Sequence, residues 1–286
     1  MSTIAFIGPG DLGTRLAAIL AGAGHATLTT LEGRGARSRA LCEERGLTTV
    51  DSLAEAVARA DIVVCAVPPD AALEAARAFA AVLPATRAPV YVDANSISPE
   101  RGREIAALVE AAGAPAASAT VHGSGEELAR TGQIFLSGAA AEHVAGVVGD
   151  ALRVVRLGAD PGRAKELKLL VAAMSKGLCA LWMETGSAAA RAGLLDETEA
   201  ALRHAYPTMM ADLDRMVPTY GRHSPRRMEE LEALAALESA HDVDPRMARA
   251  TLAMVHHVAD EVRKTPLPPD GEPWTSSSLI RRLART

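Results

Sequence analysis

Gly8-Pro9-Gly10-Asp11-Leu12-Gly13 follows the apolar run Thr3-Ile4-Ala5-Phe6-Ile7 and leads straight into a helical pattern over residues 12–21. Three glycines at this spacing, between a strand and a helix, have separate tasks. Gly8 permits a tight turn, Gly10 lets a ligand approach the backbone, and Gly13 lets the helix close on the sheet. The start of the helix offers unpaired N–H groups to an anion. The stretch reads as the first turn of a βαβ unit that cradles the pyrophosphate of a dinucleotide. Gly8, Pro9, Gly10, Asp11, Leu12 and Gly13 are its candidate contacts.

Outward from this turn, short apolar strands alternate with helical segments as far as residue 158. Strands are expected at 26–30, 61–67, 90–93, 119–121, 134–137 and 154–156, and helices at 37–45, 53–59, 71–82 and 99–112. Alternation of this kind implies a mostly parallel sheet covered by helices on both faces, a doubly wound Rossmann arrangement. Beyond Gly158 no strand pattern returns. Residues 163–192 contain no proline, which predicts one helix of about 30 residues, or ~45 Å. Further helices are expected at 197–216, 225–240 and 245–264, and the proline-rich stretch 265–273 ends the last. The fold class is therefore α/β, with a Rossmann domain over 1–160 followed by an all-α domain over 161–286.

The end of the second strand bears on the choice of cofactor. An acid there bonds a ribose 2′-hydroxyl, and Glu32 has about the right spacing for NAD. However, Arg34, Arg37, Ser38 and Arg39 crowd the following positions. A guanidinium pairs with a 2′-phosphate, so Arg34, Arg37 and Ser38 favour NADP over NAD. Val67-Pro68-Pro69 and Asp93-Ala94-Asn95-Ser96 end two later strands, where open α/β sheets bind ligands. Val67, Pro68 and Asn95 are candidate cofactor contacts, and Asn95 reads equally well as an ordinary turn residue.

Composition narrows the class. The chain has 286 residues, 49% of them hydrophobic, and a net charge of −5. Mild acidity and an aromatic fraction of 3% argue against nucleic acid as a partner. Cys42, Cys65 and Cys179 form no CxxC pair and read as reduced thiols, with Cys65 a small hydrophobe in a buried strand. No leader pattern precedes the first strand and no segment can span a bilayer, so a cytoplasmic protein is expected. The histidines show no ligand spacing, and no metal is expected.

At these residues the chain resembles the β-hydroxyacid dehydrogenase and 6-phosphogluconate dehydrogenase superfamily. The likeness runs through Gly8–Gly13, Gly33-Arg34, Val67-Pro68-Pro69 and Asp93-Ala94-Asn95-Ser96-Ile97-Ser98. The family's substrate loop matches Thr120-Val121-His122-Gly123-Ser124-Gly125, which marks His122, Gly123 and Ser124 as substrate contacts. Its catalytic lysine, early on the interdomain helix, matches Lys168 in Gly162-Arg163-Ala164-Lys165-Glu166-Leu167-Lys168. Ser175-Lys176-Gly177 and Arg226-Arg227-Met228-Glu229-Glu230 are similar to a branch with a small helical domain of unassigned function. Val171 and Ala172 stand where the family has asparagines, and His122 where it has serine, so the usual substrates are not implied.

The resemblance implies an NADP-dependent oxidoreductase acting at the carbonyl or alcohol carbon of a small, anionic metabolite. Lys168 would handle the hydroxyl proton. Lys176, eight residues on and about 80° around the helix, is the alternative acid or a substrate contact. Arg226–Glu230 also reads as a surface i,i+4 pair. Imine reduction on the same fold, and dinucleotide binding without turnover, are the rival readings. The long apolar helix needs more cover than a small helical domain supplies, so a homodimer through that domain is expected.

Overall fold

The computed structural model describes residues 1–123, 128–264 and 275–285. It divides into two compact units, Met1–Lys168 and Leu169–Thr286.

The first unit is built on one eight-stranded sheet: β1 (Thr3–Ile7), β2 (Ala26–Thr30), β3 (Thr48–Val50), β4 (Ile62–Cys65), β5 (Val90–Asp93), β6 (Ala116–His122), β7 (Gln133–Ser137) and β8 (Arg153–Arg156). Their order is β3-β2-β1-β4-β5-β6-β7-β8. Every neighbouring pair is parallel except β6 with β7, so β7 and β8 run against the rest. The helices that follow these strands are α1 (Asp11–Gly22), α2 (Ala36–Glu44), α3 (Leu53–Arg59), α4 (Ala72–Ala81), α5 (Pro99–Ala111), α6 (Leu128–Thr131) and α7 (Ala141–Val148).

Alternation along the strands explains the two layers of helix. Ile4 and Phe6 of β1 join Leu16, Leu20, Ile62, Val64 and Val92 in one core. Ala5 and Ile7 join Val63, Cys65, Phe79, Tyr91 and Ile105 in a core on the other face. Successive strand residues point to opposite faces, and each face buries its own apolar set. Strand order reverses between β1 and β4, and at such a switch point a crevice opens beyond the carboxyl ends of the strands. The two outer strands are short: β3 has 3 residues, and β8 has 4 with Arg153 and Arg156 exposed.

α8 (Arg163–Arg191) starts in the first unit and continues into the second. The division between units falls eight residues beyond the turn at 160, because the first turns of α8 pack onto the first unit through Lys165. Arg103 of α5 clamps the turn before α8. Its Nε and Nη2 donate to the two carboxylate oxygens of Asp160 at 2.8 Å, and Gly162 N donates to Asp160 Oδ1 at 2.9 Å. This fork pulls the Asp160 carboxyl below its ordinary pKa. A side chain at Gly162 would collide with the Arg103 guanidinium, 2.4 Å from Cζ.

The second unit holds α9 (Leu195–Ala205), α10 (Pro207–Met216), α11 (Tyr220–Ala240), α12 (Arg246–Lys264) and α13 (Ser276–Leu283). Its core includes Trp182, Met183, Met210, Leu213, Tyr220, Leu231, Val255 and Ile280. The expected helix over 197–216 is two helices, because Pro207 cannot donate an N–H and instead begins α10. α11 starts at Tyr220, earlier than expected, and continues through Pro225 one turn further on. α13 was not expected; its start carries a capping box between Thr275 and Ser278. The stretch 265–273 lies outside the described residues. No described helix is long and apolar enough to cross a membrane.

Candidate functional site

The glycine turn sits at the carboxyl end of β1. Gly8 has φ +86°, and a Cβ there would lie 2.6 Å from Ala66 O at the end of β4. A Cβ at Gly13 would lie 2.6 Å from Gly8 O, so α1 packs directly on the turn. Gly10 is different, since a Cβ there would meet nothing within 4 Å. The missing side chain at Gly10 leaves space for a ligand, whereas those at Gly8 and Gly13 are required by the protein itself. No side chain caps the N-terminus of α1, so its first amides face this space. Pro9 is buried beneath, and Leu12 is half-buried. The residues present therefore fit the pyrophosphate of a dinucleotide.

Asp11, in the first turn of α1, would repel a pyrophosphate if left bare. Its carboxylate is instead paired with Arg45 at 2.9 Å and with Arg15 at 3.0 Å. The Arg45 hydrogen bond leads the causes that hold its pKa below the usual carboxylate value. Arg45 also donates to Asp11 O at 2.9 Å and to the Thr14 hydroxyl, tying the end of α2 to the start of α1.

Beyond β2 the chain turns at Gly33, with φ +68°. Arg34 and Ser38 are half-buried here, while Glu32 and Arg37 are exposed. Among the described residues, no carboxylate pairs with Arg34 or Arg37.

The ends of β4 and β5 are joined by Asn95. Its Oδ1 accepts from Val67 N at 2.7 Å, and its Nδ2 donates to Asp93 Oδ1 and to Cys65 Sγ, the latter at 3.6 Å. Asn95 is 3% exposed, so its amide serves as an internal staple between two strand ends. Val67 is half-buried and Pro68 exposed on the same rim. Cys65 is buried as expected, and its thiol is also a hydrogen-bond partner within the rim.

Two lysines from the first turns of α8 reach these strand ends. Lys168, the expected catalytic residue, is half-buried, and its ammonium donates to Ser96 Oγ. Lys165, which sequence reasoning passed over, is completely enclosed. Its Nζ donates to Asn95 O and Ala119 O at 2.8 Å and to Asp93 O at 3.1 Å, and lies 3.1 Å from Asp93 Oδ2. Burial pushes its pKa below the ordinary lysine value, and the Asp93 carboxylate opposes that shift. A sequence clue was available: Asp93 ends the apolar strand Val90–Asp93, and an acid there needs a buried partner.

The other expected site residues are distributed as follows. His122 ends β6 and is exposed, and Gly123 follows with φ +121°. Ser124 lies outside the described residues. Lys176 belongs to the second unit, is 8% exposed, and is paired with Glu230 at 2.7 Å. Arg226 pairs with the same carboxylate at 3.2 Å, the i,i+4 contact expected of it. Arg227 lies over the Tyr220 ring, 3.7 Å from its centroid, and its Nη2 donates to Thr219 Oγ1 at 2.7 Å.

Residues 3–151 match the family model of the NAD binding domain of 6-phosphogluconate dehydrogenase, and residues 189–258 match a domain of unknown function (DUF1932). A probable 3-hydroxyisobutyrate dehydrogenase of Mycobacterium bovis is 35% identical over 139 residues, which cover 48% of this chain and 46% of that protein. The chain thus aligns with about half the length of that relative. Among solved structures, a conserved protein of unknown function with structural similarity to 3-hydroxyacid dehydrogenases superposes with a TM-score of 0.70 at 28% identity, covering 90% of this chain and 97% of that one. A reductive aminase from Aspergillus terreus, in complex with NADPH, shares the fold with a TM-score of 0.61 at 21% identity, each chain covered to 98%.

The different reasons for Gly10 and Gly13 separate binding from folding. Gly10→Val should keep the melting temperature of the wild type and lower dinucleotide affinity at least about tenfold, close to 1.4 kcal/mol. Gly13→Ala should lower stability by about 1–3 kcal/mol through overpacking. Fluorescence titration with NADPH and thermal melts check both, and a Gly10→Val variant that binds normally would refute the cradle.

Proposed function

Since the chain belongs to the family built on the NAD binding domain of 6-phosphogluconate dehydrogenase, we propose that it is an NADP-dependent dehydrogenase or reductase. Its substrate would be a small, anionic carbonyl compound or the corresponding alcohol. The glycine cradle would hold the pyrophosphate, and the half-buried Arg34, with Arg37 and Ser38, would hold the 2′-phosphate. The nicotinamide, when bound, supplies or accepts the hydride.

The observation that carries the reading is the Lys168 ammonium at the carboxyl ends of the central strands, where a ligand of this fold lies. A cation there can stabilise negative charge growing on a substrate oxygen and deliver its proton. Lys176, buried and paired with Glu230 at 2.7 Å, is the alternative acid. Ser96 would orient Lys168. Val67, Pro68 and Asn95 would shape the rim, with His122, Gly123 and Ser124 on the substrate side. The buried free thiols Cys42, Cys65 and Cys179 support a reducing, cytoplasmic setting.

We read the second unit as the means of self-association. Leu170, Val171, Met174 and Leu181 of α8 are exposed, between 39% and 69%, and form an apolar stripe at helical spacing. Leu181 also lines an apolar groove of about 190 Å³ with Trp182, Leu202 and Met209. A second copy would cover this surface.

These readings have direct tests. Arg34→Ala should weaken NADPH by about 10–100-fold, the loss of a charge-assisted contact, and leave NADH nearly unchanged. Equal weakening of both, in titrations side by side, would reject NADP selectivity. In a screen of 2- and 3-oxoacids and cyclic imines with NADPH, an oxoacid should turn over. Lys168→Met should then lower kcat by about 10²–10⁴ with little change in NADPH affinity. Near-normal turnover by that variant would exclude Lys168 as the acid. Light scattering at micromolar concentration should give a dimer mass, and replacing Leu170 and Met174 by glutamate should give a monomer.

A further inference from the structure

Lys165 has no spare hydrogen for a substrate. Its three N–H groups are taken by the backbone oxygens of Asp93, Asn95 and Ala119, and Asp93 Oδ2 supplies the counter-charge. Its side chain is 0% exposed. A hydrophobic residue would fill the same volume without the cost of burying an ion. The ammonium is therefore placed for what it holds.

What it holds is the platform of the neighbouring lysine. Asn95 O belongs to the peptide that joins Asn95 to Ser96, so Lys165 fixes the plane of that peptide. Ser96 Oγ in turn accepts from Lys168. Lys165 and Lys168 are three residues apart, so their side chains leave one side of α8. The contacts close a ring: Lys165 to Asn95 O, through the peptide to Ser96, to Lys168, and back along one helical turn. The other end of the loop is held as well, since the Asn95 side chain accepts from Val67 N at 2.7 Å.

The geometry points to Lys165 as a positioning residue for Lys168: its buried ammonium ties the carboxyl end of β5 to the middle of β6 and sets Ser96 where it receives the Lys168 ammonium. This role rests on Lys168 as the group that meets the substrate oxygen. Lys165 does not touch substrate and transfers no proton.

The test must separate positioning from stability. Lys165→Met alone strands the Asp93 carboxylate and should lower the melting temperature. Lys165→Met combined with Asp93→Asn removes ion and counter-ion together and should recover part of that loss, the three backbone oxygens still lacking a donor. If Lys165 positions Lys168, kcat for the oxoacid that the wild type reduces should stay down by about 10²-fold in this double variant, the effect of a misplaced catalytic group. Its NADPH dissociation constant should stay close to that of the wild type. Ser96→Ala should lower kcat similarly, and adding it to the double variant should cause little further loss. Recovery of kcat together with melting temperature would overturn the proposal, as would fully additive losses.

A second readout needs no turnover. Trace acetylation by acetic anhydride at fixed pH, followed by mass spectrometry, reports the reactivity of Lys168 in the free protein. It should change in the same direction in the double variant and in Ser96→Ala, with Lys264 unchanged as an internal standard. Unchanged Lys168 reactivity in the double variant alone would overturn the proposal. If Lys168→Met stays active while these labelling shifts appear, the catalytic reading of Lys168 fails and the positioning role survives.

Discussion

The ammonium of Lys165 is the constraint on which the carboxyl edge of the sheet depends. A parallel strand that ends at a crevice presents carbonyl oxygens with no further strand partner, and buried carbonyls must find donors. Here two oxygens at the end of β5, of Asp93 and Asn95, and one from the middle of β6, of Ala119, converge on one nitrogen, with a carboxylate beside it. A single ammonium is compact enough to meet all of them, where a planar guanidinium would not be. The arrangement joins β5, β6 and the start of α8 through one atom. Deleting either charge alone would leave the other buried without compensation, a loss of about 3–5 kcal/mol. The same atom thus stabilises the fold and fixes the floor of the site.

Charge is also arranged along the rest of the crevice. At the end of β1 the structure suppresses an unwanted anion, because Asp11 is matched by Arg15 and Arg45. At the end of β2 it leaves positive charge unspent, because Arg34 and Arg37 meet no carboxylate among the described residues. At the end of β5 it balances charge internally, through Lys165 and Asp93. Neutral, positive and self-compensated regions follow one another along these strand ends.

Much of this was legible in the sequence, and the exceptions have physical causes. Period-2 alternation and the glycine turn suffice for the strands and their order of use, because each face of the sheet buries its own set. β3 escaped notice because Thr48-Thr49-Val50 has too few residues to show a period and only Val50 is buried. The break at Tyr206-Pro207 was misread as continuous helix, since the apolar pattern continues across it even though proline restarts the hydrogen bonding. Motif spacing pointed to the glycine turn and to Lys168, and the structure brings the turn to the end of β1 and the Lys168 ammonium to Ser96 beyond β5. Lys165 was missed because its partners lie 46 to 72 positions away, and no local pattern encodes such contacts. Asn95 was left open between a ligand contact and a turn residue; the structure engages both its side-chain polar atoms internally, which only the fold could reveal.

The reversal at β7 has a consequence for how the molecule can grow. It leaves β3 and β8 as the two borders of the sheet, one of three residues and the other flanked by exposed arginines. Short, charged borders offer an incoming strand few hydrogen bonds and an unfavourable charge environment. Extension of the sheet into that of another molecule is therefore disfavoured, and so is the aggregation that such templating would seed. Among the described residues, the sheet therefore presents no edge suited to pairing with a second copy.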